Sequence, residues 1–390
     1  MMSNTLFDNT ETAFKLKSDS ELERANFLFK MISKEPLVRI GTAITKFALN
    51  ANLPVEGLIR STVFDHFCGG VNEVDCLPTV DKLAEVGVSS VLDYSVEGKE
   101  EEAQFDATAK KVIELTYFAK KKKAMPFSVF KPTGLGKFNI WQKLTEKETL
   151  TAEEEKQWEA IVRRYEEVSK TAHECNIALL IDAEESWMQD AADLLCEQMM
   201  EKYNKETPII YNTLQCYRWD RLNYLKEIHQ RAKAKGYKLG FKIVRGAYME
   251  KENERAAEKD YPSPICESKQ ATDENFNAVL GYIMDNLDTI HLFAGTHNEA
   301  STYLTMELMK EKGFVKEESR VWFGQLYGMS DHITFNLGSE GYNVAKYIPF
   351  GPVKDVMPYL IRRAEENTSV AGQTSRELTL LKKEKLRRKL

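Results

Sequence analysis

Two adjacent arginines, Arg362 and Arg363, sit in the run YIPFGPVKDVMPYLIRRAEENTSV (residues 347–370), with Glu366 just behind them. The strand-like stretch before them ends at Gly351-Pro352, and the pattern predicts a helix opening near Pro358. Fixed positive charge in the first turns of a helix opposes its dipole unless an anion meets it. Glu366 lies at i+4 from Arg362 and i+3 from Arg363, so it can hold both, while the two guanidinium forks, ~100° apart around the helix, point past it. One reading is a surface ion-pair cluster, which contributes little. The other is a clamp for a carboxylate or a phosphate, with Lys131 as a third cation.

Other groups able to do chemistry stand at the ends of apolar runs. They are Asp93 and Glu97, Lys131, then Asp182, Glu184 and Glu185, and Gln215. Further along come Lys242, Arg245 and Tyr248, then Thr296, His297 and Asn298, then Gln325 and Tyr327, and finally Tyr347. Singly, each has a structural explanation: Lys131 can snorkel from a core, and Asp182 can cap a helix. Their repetition at one end of successive strands points instead to groups converging on one mouth.

The elements that must position them alternate. Eight short β-branched or aromatic runs (89–97, 127–133, 178–185, 208–215, 239–246, 290–298, 321–328 and 344–351) are separated by stretches with helical spacing, such as Trp158, Ile161, Val162, Tyr165 and Val168. Alternation of this kind means parallel β/α packing, and eight units fit an α/β fold of the (β/α)8 TIM-like barrel type; a doubly wound open sheet is the rival. In such a barrel the strand carboxyl ends build the active site. Residues 1–86 lack alternating strands and are expected to form an N-terminal helical arm, with the catalytic barrel over 87–372. Residues 373–390 form a basic tail, expected as a solvated terminal helix, with a membrane-surface contact as the alternative.

Several classes are disfavoured. The net charge of -6 gives no reason to expect nucleic acid as a partner. Six scattered histidines and six well-separated cysteines offer no metal-ligand spacing, and the cysteines are expected as reduced structural thiols. No nucleophile elbow or Walker loop occurs, and the run TGLGKF lacks the third glycine of a dinucleotide fingerprint. The N-terminus shows neither a signal-peptide core nor a transit-peptide composition, and no run of apolar residues is long enough to span a bilayer. A cytoplasmic bacterial protein is expected, with peripheral contact to the inner membrane as a variant of that reading.

The strings IDAEES (181–186), LQCY (214–217), VRGAYMEKE (244–252), GTHN (295–298), GQLYGMSD (324–331) and YIPFG...YLIRRAEENTSV closely resemble the proline dehydrogenases, in order, from about residue 88 to 372. The resemblance is to FAD-dependent (β/α)8 enzymes of proline catabolism, here of the monofunctional bacterial type. It implies that Arg362, Arg363 and Lys131 bind the proline carboxylate, and that Tyr359, Tyr347, Tyr248 and Leu326 wall its ring. It implies that Gln215, Lys242, Val244 and Gly246 address the isoalloxazine, with Thr296, His297, Asn298 and Glu366 completing the FAD site and Asp182 orienting Lys242. Relatives differ at the Lys242 and Met249 positions. Glu97 is expected to pair with Arg362 and close over substrate.

The implied reaction is hydride transfer from L-proline to flavin N5, giving pyrroline-5-carboxylate. A membrane quinone would reoxidise the flavin, and the product would pass to a separate pyrroline-5-carboxylate dehydrogenase. Hydroxyproline oxidation is the nearest alternative, disfavoured by the bulk of Tyr347. A Schiff-base aldolase using Lys131 or Lys242, and a non-catalytic amino-acid sensor, are more distant ones.

Overall fold

The computed structural model describes residues 5–34, 36, 41, 56–96, 100–369 and 373–390; for 56, 58, 61, 364–369, 373 and 374 it describes the backbone alone. Eight strands form, each within an expected run: β1 (Ser89–Tyr94), β2 (Phe127–Phe130), β3 (Ala178–Ile181), β4 (Ile210–Gln215), β5 (Leu239–Val244), β6 (Ile290–Gly295), β7 (Val321–Leu326) and β8 (Val344–Phe350). They make one parallel sheet in the order β1-β8-β7-β6-β5-β4-β3-β2, a nearly closed (β/α)8 barrel with helices between the strands. Every residue of β4 and β8 is buried, including the polar Asn212, Thr213, Gln215 and Lys346, so neither strand has a solvent face. All strands but β4 stop short of the ends of the runs that announced them. Lys131-Pro132 turns the chain into a single 3-10 turn, since Pro132 has no N–H to extend a ladder.

The chain divides into two compact units, one of Met1–Glu97, His297–Glu299 and Gly324–Leu390, the other of Gly98–Thr296 and Ala300–Phe323.

In the first, the helix Asp19–Ile32 opens on a capping box, with Glu21 N–H donating to Ser18 Oγ and Ser18 N–H to Glu21 Oε2. Its buried face of Leu22, Ala25 and Phe29 packs against Phe14 and against Leu380 and Leu381 of the C-terminal helix Gln373–Arg388. The tail is therefore not a solvated helix: one face is core, and its cations hold the arm, Arg388 to Asp19 at 3.0 Å and Lys385 to Glu23 at 2.9 Å. The expected arm segment 36–49 lies almost wholly outside the described residues.

In the second unit, the helix Ala152–Cys175 is capped by a Thr151/Glu154 box and ends at Asn176 in the left-handed conformation. It carries the buried Arg164, whose guanidinium takes Glu102 at 2.6 Å and Asp106 at 2.7 Å and donates to the Leu135 carbonyl at 3.0 Å. All six cysteines are thiols, five of them buried.

Candidate active site

Within the second unit, the edge of the sheet beyond β2 to β5 gathers several expected residues. The backbone N–H of Asp182 still donates to Phe130 O at 3.0 Å, so its carboxylate leaves the barrel at the strand terminus. There it forms a short ion pair with Lys242 of β5, and Lys131 Nζ stands 3.8 Å from its other oxygen. Lys242 is only 6% exposed, and an ammonium so buried requires a close anion.

The β4–β5 ladder runs on past both strands: Cys216 N–H donates to Val244 O and Tyr217 N–H to Arg245 O, each at 2.7 Å. This lays Gln215, Cys216 and Tyr217 alongside Val244, Arg245 and Gly246. Gly246 has φ +130°, and a Cβ there would stand 2.5 Å from the buried Tyr217 ring, so only glycine fits. Gln215 donates through Nε2 to Glu184 O at 2.8 Å, while its buried Oε1 has no donor among the described residues. Glu184 accepts from Thr133 N–H at 2.9 Å and Thr133 Oγ at 2.7 Å. Burial, then the Glu185 charge, push its carboxyl up to about 7 against those bonds.

Thr296 is engaged by Arg245, which donates to its hydroxyl at 3.0 Å, to Ser301 at 3.0 Å and to Asp273 at 2.7 Å, and lies 4.5 Å from the Phe276 ring centre. Tyr248 precedes the helix Met249–Lys259, half-buried, with the Lys251 ammonium 5.6 Å from its ring centre. Met249 is 48% exposed. Taken together, this edge presents an unfilled acceptor, a buried ammonium and bare backbone, the donor set for a planar heterocycle with a hydrogen-bonding edge.

Within the first unit, Arg362 and Arg363 lie in the second turn of the helix Met357–Ser369. The Arg363 guanidinium stands 5.2 Å from the Tyr359 ring centre and is 8% exposed; Arg362 is half-buried. Leu326 and Tyr359 pack in one apolar cluster with Leu28, Phe64, Phe67 and Val356, and Tyr347 of β8 is 7% exposed. Buried rings beside a guanidinium can take an anion attached to a small apolar ring. His297 Nδ1 lies 2.9 Å from Ser330 Oγ, and Asn298 is half-buried. The Glu366 side chain and all of Glu97 lie outside the described residues.

Two ionic clusters in this unit were not foreseen from sequence. Asp331 sits between Lys17 at 3.1 Å and Lys346 at 2.9 Å; burial raises its carboxyl, but the two lysines outweigh that and hold it well below the usual range. Glu299 takes His332 at 3.0 Å and Arg376 at 2.7 Å, and against the opposing effect of burial these bonds bring its carboxyl down to about 2. Asp331 and Glu299 end or follow quoted motifs, which is the one local signal they carry. Among the described residues no cluster of three metal-ligating side chains occurs, and no helix is long and apolar enough to cross a membrane.

A family model described as Proline dehydrogenase matches residues 76–376. The chain is 36% identical over 334 residues to the carbapenem antibiotics biosynthesis protein CarD of Pectobacterium carotovorum, covering 85% of this chain and 86% of that one. It is 31% identical over 384 residues to the mitochondrial proline dehydrogenase 1 of Dictyostelium discoideum (87% and 67% covered). To the human mitochondrial proline dehydrogenase 1 it is 40% identical over 241 residues (61% and 40% covered). Among solved structures, proline utilization A (PutA) of Bdellovibrio bacteriovorus superposes with a TM-score of 0.72 at 19% identity, covering 94% of this chain. The chain spans 37% of that longer protein, and the likeness concerns the fold.

Proposed function

We propose, from the premise that this chain belongs to the proline dehydrogenase family, that it oxidises L-proline to pyrroline-5-carboxylate with FAD as the acceptor. The observation that carries the flavin part is the buried Gln215 Oε1, an acceptor with no donor among the described residues, beside Lys242 and the side-chain-free Gly246. A ring N–H would satisfy that oxygen, and a buried acceptor left unsatisfied costs about 1–3 kcal/mol. Gln215, Lys242, Val244 and Gly246, with Thr296, His297, Asn298 and Glu366, are the residues we assign to the cofactor. Bound FAD supplies a two-electron acceptor, which no side chain of the protein can.

The protein's own groups bind and orient the substrate. Arg362, Arg363 and Lys131 take the carboxylate, and Tyr359, Tyr347, Tyr248 and Leu326 surround the pyrrolidine. A carboxylate fixed by a two-nitrogen guanidinium fork loses its rotational freedom, so that C5 is presented in one direction. Oxidation removes a hydride from C5 and a proton from the ring nitrogen, leaving a C5=N double bond. Lys242, paired with Asp182, would place positive charge where it favours negative charge on the reduced cofactor. The close burial of Tyr347 supports proline over its 4-hydroxy derivative, whose hydroxyl would need a polar partner. Electrons would leave to a membrane quinone, and the product to a separate pyrroline-5-carboxylate dehydrogenase.

The test is the absorbance spectrum of FAD-loaded protein, taken anaerobically before and after L-proline. Bleaching of the flavin bands by proline, and far less by trans-4-hydroxyproline, is expected. A protein that takes up no FAD refutes the cofactor assignment, and one that binds FAD without bleaching refutes the substrate.

A further inference from the structure

Ser330 occupies the N-cap of the helix Asp331–Ser339, where a serine hydroxyl ordinarily accepts from a first-turn N–H. Here it makes no such bond. Its Oγ instead lies 2.9 Å from His297 Nδ1, while Ile333 and Thr334 N–H donate to its carbonyl at 3.0 and 3.1 Å. The residue is fully buried and holds φ +50°, a left-handed conformation that is unfavourable for a non-glycine residue. Something must hold it there. Its backbone N–H donates to Glu377 Oε1 at 2.5 Å, and Glu377, 3% exposed, belongs to the C-terminal helix whose Leu380 and Leu381 are locked in the arm core. A buried carboxylate is costly, and this one accepts the Ser330 N–H of a strained turn while standing 3.8 Å from His332 Nδ1.

We propose that Ser330, held by Glu377, is a positioning residue for His297, so that the C-terminal helix sets the orientation of an imidazole assigned to the flavin. An imidazole fixed at Nδ1 presents Nε2 in one direction. The inference rests on the flavin assignment made above for its consequence, but not for the geometry, because every contact in the chain Glu377–Ser330–His297 is internal to the protein. It gives the basic terminal helix a task unconnected with its charge.

The experiment compares Ser330→Gly, Ser330→Ala, Glu377→Gln, Glu377→Leu and the Ser330→Ala/Glu377→Leu double variant. Ser330→Gly removes the hydroxyl while easing the left-handed backbone, so the FAD-free protein should melt near the wild-type temperature. Three quantities are read: the His297 ring 15N resonances without FAD, the FAD dissociation constant by fluorescence, and the midpoint potential of the bound flavin. Ser330→Gly and Ser330→Ala should shift the His297 resonances, weaken FAD binding ~3- to 10-fold and move the potential. Glu377→Leu should do the same, Glu377→Gln, which keeps an acceptor for the Ser330 N–H, should stay near wild type, and the double variant should be no worse than the worse single one. His297 resonances unchanged in Ser330→Gly overturn the proposal, as does a loss of melting temperature with unaltered flavin affinity and potential. Wild-type protein that takes up no FAD would instead refute the flavin assignment, with the His297 resonances still deciding the positioning.

Discussion

Gly246→Ala tests whether the backbone at the end of β5 is shaped as tightly as it looks. Two costs add. The backbone at φ +130° is one that residues with a Cβ rarely adopt, which costs about 1–3 kcal/mol. The new methyl would also stand 2.5 to 2.6 Å from three ring carbons of Tyr217, against a comfortable carbon–carbon separation of ~3.5–4.0 Å, so ring or backbone must move by about 1 Å. Overpacking of that kind costs about 1–3 kcal/mol. Tyr217 is 3% exposed and its hydroxyl lies 3.5 Å from Gln215 Nε2, so displacement is passed to the residue whose free oxygen we assign to the cofactor. Urea unfolding of the FAD-free protein should therefore lose about 2–6 kcal/mol, and FAD binding should weaken beyond that of any variant that leaves Tyr217 in place. In a cycle with Tyr217→Ala, the methyl should cost less when the ring is gone, the difference being the packing part. Loss of less than about 1 kcal/mol with unchanged FAD affinity would refute the reasoning, since neither strain nor overlap could then be real.

Three further outcomes follow from the same geometry. Lys242→Ala should lower the flavin midpoint potential by about 30–60 mV, the equivalent of one charge-assisted hydrogen bond for a two-electron couple; an unchanged potential in a spectroelectrochemical titration would exclude Lys242 from the cofactor site. Arg363→Met should raise KM for proline ~10- to 100-fold with a smaller effect on kcat, and steady-state kinetics showing KM unchanged would remove Arg363 from the carboxylate clamp. Glu299 is held down to about 2 in the fold, below its unfolded value, so its contribution is present above pH ~4.3 and disappears as pH falls towards 2. Glu299→Gln should accordingly flatten the pH dependence of unfolding between those limits, by about one proton at most, and an unaltered acid-unfolding curve would contradict that pairing.

The strands were legible because burial on both faces favours short apolar and β-branched runs, as in ALLI of β3. Their ends were not, because an extended residue such as Lys131 continues the appearance of a strand beyond β2; there the proline that follows was the clue. The polar residues at strand ends could be named from sequence, and Lys131, Asp182 and Lys242 do come together. What sequence could not give was pairing across distant segments. Lys346 in an apolar strand and Lys17 in the arm acquire meaning only when Asp331 stands between them. The tail read as solvated because seven cations surround its leucines; the partner for Leu380 and Leu381 is a helix at the other end of the chain. Ser330 and Glu377 were hidden for the same reason, since a hydroxyl that declines to cap its helix is visible only in three dimensions.

The central claim is oxidation of proline across its C5–N bond, and the most direct test is to follow deuterium. FAD-loaded protein is supplied with L-proline carrying two deuterium atoms at C5, or one at C2, and the product is weighed by mass spectrometry. The account predicts that the C5-labelled substrate loses one deuterium and the C2-labelled substrate keeps its own. Product that retains both C5 deuterium atoms, or loses the one at C2, would contradict it.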